Sequence, residues 1–246
     1  MITRRRLFKI SAKGLAAWLV AQQVGCAAEK SQADLTEALS DSLESGATDS
    51  ETPLRSLEEV IAALAELAEL QFSDSWDQEA YVEDVKLLIE TLDLDDPDFT
   101  DLYSGYVSTL GTFPELTTVE ERGYFEVATV EFEAGDEIPL HNHPDMTGVI
   151  FCVAGNVRIE QFDLVAEESD RVLLKLQASQ QCQAGDFSTL TAVRGNIHAL
   201  YAEEYTALFD IFTPPYDNER LQHYRWYERA STPLESGGDI YEAWET

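Results

Sequence analysis

Hydrophobic residues recur along this chain with two different spacings, which divide it into a helical part and a strand-rich part. From Leu57 to Leu67 they recur at helical spacing, and Ser56 with Glu59 matches a capping box at the start of that helix. A second helical pattern runs from about Asp77 to Leu92. Neither stretch gathers catalytic residue types. The pattern therefore predicts a helical lead-in over residues 56–110 that covers the rest of the fold.

From Gly123 onward the hydrophobic residues form short runs separated by Gly, Asn, Asp or Ser. The runs are Tyr124 to Phe132, Gly148 to Val153, Val157 to Phe162, Val172 to Leu176, Phe187 to Val193 and Tyr205 to Phe212. Many short strands without intervening helices indicate a sandwich or barrel. The turn Ala154-Gly155-Asn156 lies between two runs, as in a hairpin. We predict an all-β fold, a small antiparallel barrel over residues 111–230, with residues 231–246 as a C-terminal tail.

The charge of this chain limits the kinds of molecule it can bind, and its cysteine content limits the disulfide bonds it can form. Its 246 residues include 47 acidic and 16 basic side chains, a formal net charge of -31. Such a chain repels nucleic acid and anionic lipid, so both are excluded as main partners, and the acidity is interpreted as a solvated surface. Three cysteines (Cys26, Cys152 and Cys182) do not make a disulfide framework. We expect a monomer.

The first residues have the pattern of an export signal. A basic segment, Thr3 to Lys9 with paired arginines, precedes a short apolar run, Gly14 to Ala21, too short to span a bilayer. It resembles a twin-arginine signal over residues 1–26, with Cys26 as a candidate lipid anchor. The composition of residues 27–55 then predicts a flexible acidic linker. We expect an exported protein, periplasmic or at the cell surface; the alternative is a basic amphipathic start to a cytoplasmic protein.

Three of the four histidines form a candidate metal site. His141 and His143 are two residues apart in an extended segment, so both side chains can point to one side. His198 follows Gly195 at the end of another strand-like run. The spacing Gly135, His141-x-His143 and Gly155 resembles the first cupin motif, and Gly195-x-x-His198 resembles the end of the second. Where cupins usually carry a glutamate ligand, this chain has Thr147 or Gly148.

The missing carboxylate changes the expected chemistry of such a site. Three neutral imidazoles leave the charge of a divalent metal uncompensated and about three coordination positions open. A thiolate substrate can neutralise part of that charge while O2 takes a neighbouring position. Imidazoles suit Fe, Zn, Cu and Ni alike. A three-histidine zinc hydrolase and a metal- or ligand-binding cupin without turnover therefore stay open as alternatives.

Three sequence blocks resemble the thiol dioxygenases related to cysteamine dioxygenase and the plant cysteine oxidases. These blocks are Ile138-Pro-Leu-His-Asn-His-Pro-Asp-Met-Thr147, Gly195-Asn-Ile-His198 and Asp210-Ile-Phe-Thr-Pro-Pro-Tyr216. The resemblance implies a double-stranded β-helix (cupin) barrel and a non-haem Fe(II) enzyme that adds O2 to a thiol, giving a sulfinic acid. It implies that His141, His143 and His198 are the iron ligands.

The same resemblance implies two pocket residues and a class of substrate. Asp210 matches a pocket aspartate that could pair with a substrate amine, and Tyr224 is matched to a pocket tyrosine. The implied substrates, with O2, are cysteamine, cysteine or the N-terminal cysteine of a peptide. The chain departs from the family in lacking the cysteine that often follows Pro-Pro-Tyr, so a cysteine–tyrosine crosslink is not expected. The proline usual in the second cupin motif is also missing around Thr191.

Overall fold

The computed structural model describes residues 53–103 and 113–246. The predicted export signal (1–26), its candidate lipid anchor Cys26 and nearly all of the predicted linker (27–55) lie outside the described residues. Within the described segments, no helix combines the length and the apolar character needed to cross a membrane.

The helical lead-in contains helices α1 (Leu57–Glu69), α2 (Gln78–Ile89) and α3 (Pro97–Thr100), with a 3-10 turn at Leu70–Phe72. The capping box is present, because the side chains of Ser56 and Glu59 each accept a hydrogen bond from the other residue's backbone N–H. Tyr81 on α2 is buried, and its hydroxyl lies 2.5 Å from the hydroxyl of Thr213 in the strand-rich part. The helices therefore pack against the barrel, as the hydrophobic pattern predicts.

Eleven strands and one short helix, α4 (Arg220–His223), follow among the described residues. In chain order the strands are β1 (Glu115–Arg122), β2 (Phe125–Phe132), β3 (Glu137–Asn142), β4 (Thr147–Ala154), β5 (Asn156–Glu167), β6 (Val172–Gln183), β7 (Phe187–Leu190), β8 (Ile197–Ala202), β9 (Thr206–Thr213), β10 (Tyr227–Arg229) and β11 (Ile240–Glu245).

The strands form two antiparallel sheets that enclose one core. The first sheet has the order β1-β2-β9-β4-β7, and the second has the order β10-β11-β6-β5-β8-β3. Successive residues of a strand face opposite sides of its sheet. On β9, Leu208 therefore packs with Ile159 of the second sheet inside the barrel, whereas Phe209 packs against the helices. This arrangement confirms the predicted all-β, double-stranded β-helix fold with an α-helical lead-in.

The structure differs from the sequence-based expectation in three places. The Gly155 turn does not close a hairpin: β4 pairs with β7 and β9, and β5 pairs with β6 and β8, so Gly155 carries the chain from one sheet to the other. His198 lies at the start of β8 and not at the end of a strand. The segment 231–246, predicted as a tail, contributes β11, which pairs with β6 and β10.

Candidate metal centre

Strands β3 and β8 bring the three histidines together. Residues His141 and His198 are directly opposite each other in the antiparallel pairing of these strands. His143 follows the end of β3, and its backbone is held by Asn196, whose side-chain amide donates to the His143 carbonyl oxygen over 2.7 Å. One ring nitrogen of each histidine lies within 4.8 Å of those of the other two, and all three residues are buried. The structure thus assembles the set that the sequence predicts.

The hydrogen bonds of the imidazoles indicate which nitrogens face the centre of the group. The Nδ1 atom of His141 lies 2.8 Å from the carbonyl oxygen of Pro139. Because a carbonyl only accepts, this Nδ1 carries the proton and the Nε2 lone pair is free. The Nε2 atoms of His143 and His198 lie 2.9 Å apart. The buried Nδ1 of His198 has no hydrogen-bond partner among the described residues.

Burial keeps these imidazoles in the neutral form that binds metals. It lowers the pKa of His141 to about 4. It also holds the pKa values of His143 and His198 well below the usual range, and the charge of His141 adds to the effect on both. Three neutral nitrogen donors within reach of one point fit Fe(II), Zn(II) and other first-row divalent metals.

Among the described residues, no carboxylate joins the three histidines. Thr147, at the place where a glutamate ligand is usual, uses its hydroxyl differently, donating to the backbone carbonyl of Thr213 over 2.8 Å. This bond ties β4 to β9, so the residue has a structural contact in place of a metal-binding one. A metal held here would keep part of its coordination sphere open to substrates.

Aromatic side chains surround the imidazoles. Phe212 of β9 stacks on His143 with 5.2 Å between ring centroids and 18° between the planes. Tyr224 and Trp226 lie against His141, with centroid distances of 5.7 and 5.1 Å. Such rings exclude water from the site, which strengthens electrostatic interactions inside it.

A tyrosine that the sequence analysis did not single out contacts a histidine directly. The hydroxyl of Tyr216 lies 2.6 Å from Nδ1 of His143. The ring of Tyr224, the predicted pocket tyrosine, lies near the ring of His141, and its centroid is 5.9 Å from the centroid of the Tyr216 ring. Burial raises the pKa values of both hydroxyls, so both stay protonated at neutral pH. The signal for Tyr216 was its position at the end of the Pro-Pro-Tyr block.

Asp210 points into the barrel from β9, on the same face of the strand as Phe212. It is buried, and its Oδ1 atom has no hydrogen-bond partner among the described residues. Burial holds the pKa of its carboxyl well above the usual range. The charge of Asp210 also raises the pKa of Tyr216, so Asp210 lies within electrostatic reach of the histidine group. A buried oxygen without a partner is suited to a ligand that brings a donor.

Known proteins are similar to this chain in its strand-rich part. A family model described as PCO_ADO matches residues 112–243. Over 96 residues the chain is 34% identical to plant cysteine oxidase 2 of Arabidopsis thaliana, covering 37% of this chain and 35% of that protein. Over 139 residues it is 28% identical to 2-aminoethanethiol dioxygenase of Mus musculus, covering 46% of this chain and 54% of that protein. The chain thus spans about a third to a half of these relatives.

A solved structure with a double-stranded beta-helix domain from Klebsiella pneumoniae is 18% identical, with a TM-score of 0.36, and covers 46% of this chain and 88% of that one.

Proposed function

The chain belongs to the PCO_ADO family, and from this premise we propose that it is a non-haem iron dioxygenase that oxidises a thiol to a sulfinic acid. The proposed substrate is cysteamine, cysteine or the N-terminal cysteine of a peptide. The observation that carries the proposal is the group of three buried, neutral imidazoles without a carboxylate among the described residues. That donor set fits a metal which must leave room for substrates.

The reaction balances without any further reductant. A thiol and O2 give a sulfinic acid: sulfur loses four electrons, O2 accepts them, and both oxygen atoms end on sulfur. Iron held by His141, His143 and His198 would supply the redox chemistry that makes O2 reactive toward sulfur. The protein contributes the binding, the orientation and the exclusion of water.

The surrounding residues have distinct proposed roles. Asp210, buried with a free oxygen, pairs with an ammonium group of the substrate and so fixes the sulfur relative to the histidines. Tyr216 orients the imidazole of His143 through its 2.6 Å hydrogen bond. Phe212, Tyr224 and Trp226 form apolar walls around the reacting atoms. Tyr224 is retained as a pocket residue, next to His141.

Metal analysis and oxygen uptake test this proposal together. We expect protein purified without O2 to retain iron and to consume O2 with cysteamine, cysteine or a peptide with N-terminal cysteine, giving a product with two added oxygen atoms. The His198→Ala variant should lose both iron and uptake, whereas His223→Ala, which changes the exposed fourth histidine, should keep both. Full activity of His198→Ala would refute the ligand assignment. Tight metal binding without uptake of O2 would indicate a metal-binding protein that has no thiol dioxygenase activity. Bound zinc together with hydrolysis of an ester or amide would indicate a hydrolase.

We also propose that the protein is exported in a folded, metal-loaded state. The support is the sequence alone, since residues 1–26 carry paired arginines and a short apolar run. A reporter fused after residue 30 should leave the cytoplasm, and replacing both Arg4 and Arg5 with Lys should retain it there. A reporter that stays in the cytoplasm with the natural sequence would contradict this proposal without affecting the enzymatic one.

A further inference from the structure

A second carboxylate lies on the inner face of the barrel close to Asp210. We infer that Glu126 of β2 is a specificity-determining residue, which acts with Asp210 to favour thiols that carry a cationic group and to disfavour thiols that carry an anionic group beside it. The inference rests on the proposed function, because it concerns the choice among its substrates. It assigns the choice to a residue outside the three sequence blocks of the family resemblance.

The pairing of β2 with β9 places Glu126 on the same face as the site. Glu126 is directly opposite Phe212, and Ala128 is directly opposite Asp210. Opposite residues of antiparallel strands point to the same side, and diagonal neighbours such as Glu126 and Asp210 have Cα atoms about 7–8 Å apart. Phe212 in turn stacks on His143. Glu126 and Asp210 therefore lie on one inner face of the barrel, beside the ring that contacts the histidine group.

Alternation along β2 supports this orientation independently. Val130 belongs to the cluster inside the barrel, whereas Phe125 and Val127 belong to the cluster that packs against the helices. Glu126 lies an even number of residues from Val130, so it faces inward as well. Glu126 is half-buried whereas Asp210 is buried, so Asp210 lies deeper and Glu126 nearer to the solvent.

The charged neighbours that act on Glu126 and Asp210 are acidic. Burial raises the pKa of Glu126; a hydrogen bond that its carboxyl accepts from the Thr118 hydroxyl over 3.1 Å opposes the rise, and the charge of Glu121 adds to it. Burial also raises the pKa of Asp210, and there the charge of Glu126 adds to the rise. Both Asp210 and Glu126 raise the pKa of Tyr216, whose hydroxyl contacts His143. The charges that act on these two carboxyls within the described residues are thus acidic ones.

This arrangement discriminates between substrates by charge. An ammonium group entering the pocket lowers the pKa values of both carboxyls and pairs with them as carboxylates. A substrate carboxylate is repelled, or else a pocket carboxyl must first take up a proton, and either effect weakens its binding. Free cysteine carries a carboxylate next to its amine. In cysteine amide, as in an N-terminal cysteine followed by a peptide bond, that carboxylate is replaced by a neutral amide.

The experiment compares kcat/KM for cysteine amide and for cysteine, two thiols that differ by this charge. We expect the wild-type protein to have a higher kcat/KM for cysteine amide than for cysteine. The ratio of the two kcat/KM values should fall about tenfold in Glu126→Gln, because the repulsion between two unit charges a few ångströms apart is then lost. Glu126→Asp, which keeps the charge, should keep most of the preference. Titration of the two thiols into anaerobic protein should give the same order of affinities without turnover.

Glu203→Gln is the matched control, because it removes the same charge from an exposed turn and should leave the ratio unchanged. Should Glu126→Gln not fold, Glu126→Ser removes the same charge. A ratio in an active neutral variant within twofold of wild type would overturn the inference and leave the proposed function intact. No O2 uptake with any thiol in the wild-type protein would instead overturn the proposed function, and this inference with it.

Discussion

The hydrogen bond between Tyr216 and His143 makes a quantitative prediction about metal affinity. The substitution Tyr216→Phe keeps the ring and removes only the hydroxyl that lies 2.6 Å from Nδ1 of His143. His143 is 2% exposed, so water does not readily replace the lost partner. Leaving a buried ring nitrogen without its partner costs about 1–3 kcal/mol. Because the imidazole is then also less well oriented, metal binding should weaken by about 10- to 100-fold.

The assay is a titration of Co(II) into metal-free protein in competition with a chelator, which reports affinity without any turnover. Tyr224→Phe is the matched control: the Tyr224 ring packs near His141, and within the described residues its hydroxyl makes no hydrogen bond to a histidine. We expect the control to bind Co(II) within about twofold of wild type. Wild-type affinity in Tyr216→Phe, or an equal loss in both variants, would refute the argument that this hydroxyl supports the metal site.

Two further substitutions test the pocket and the fold. Asp210→Asn should lower thiol-dependent O2 uptake, because the partner of the substrate ammonium is lost. It should nevertheless raise the Tm at pH 7 by about 2–12 °C, since a buried carboxylate with an unpartnered oxygen costs about 1–3 kcal/mol. Because the folded-state pKa of Asp210 is raised, the stabilisation by Asp210→Asn should be complete above that pKa and should disappear as the pH falls toward the ordinary value of 3.8. A lower Tm of this variant at pH 7 would contradict the assignment. Gly155→Ala should destabilise by about 3 kcal/mol or more, or prevent folding, because at φ +78° the added Cβ would lie 2.1 Å from the carbonyl oxygen of Tyr205. Gly185→Ala, at φ +93° with no atom within 4 Å of its added Cβ, is the control and should cost only the backbone strain, about 1 kcal/mol, in a denaturant titration.

The barrel strands are largely predictable from local sequence, whereas their pairing is not. The runs at Tyr124 to Phe132 and Tyr205 to Phe212 correspond to β2 and β9, whose ends lie within one residue of the ends of the runs. Alternation of apolar and polar residues depends only on which face of a strand is buried, so it can be read locally. The crossing at Gly155 and the addition of β11 depend on contacts between distant segments. No local pattern encodes those contacts.

The candidate site divides in the same way. The sequence by itself singled out the three histidines and the missing glutamate at Thr147, and the family resemblance added the prediction for Asp210, because each belongs to a short block with recognisable spacing. Only the tertiary structure decided that Tyr216 contacts a histidine through its hydroxyl and that Glu126 shares a barrel face with Asp210. The physical reason is that these relations depend on the register between β2 and β9 and on the path of the chain after β9. Both are set by packing across the whole barrel.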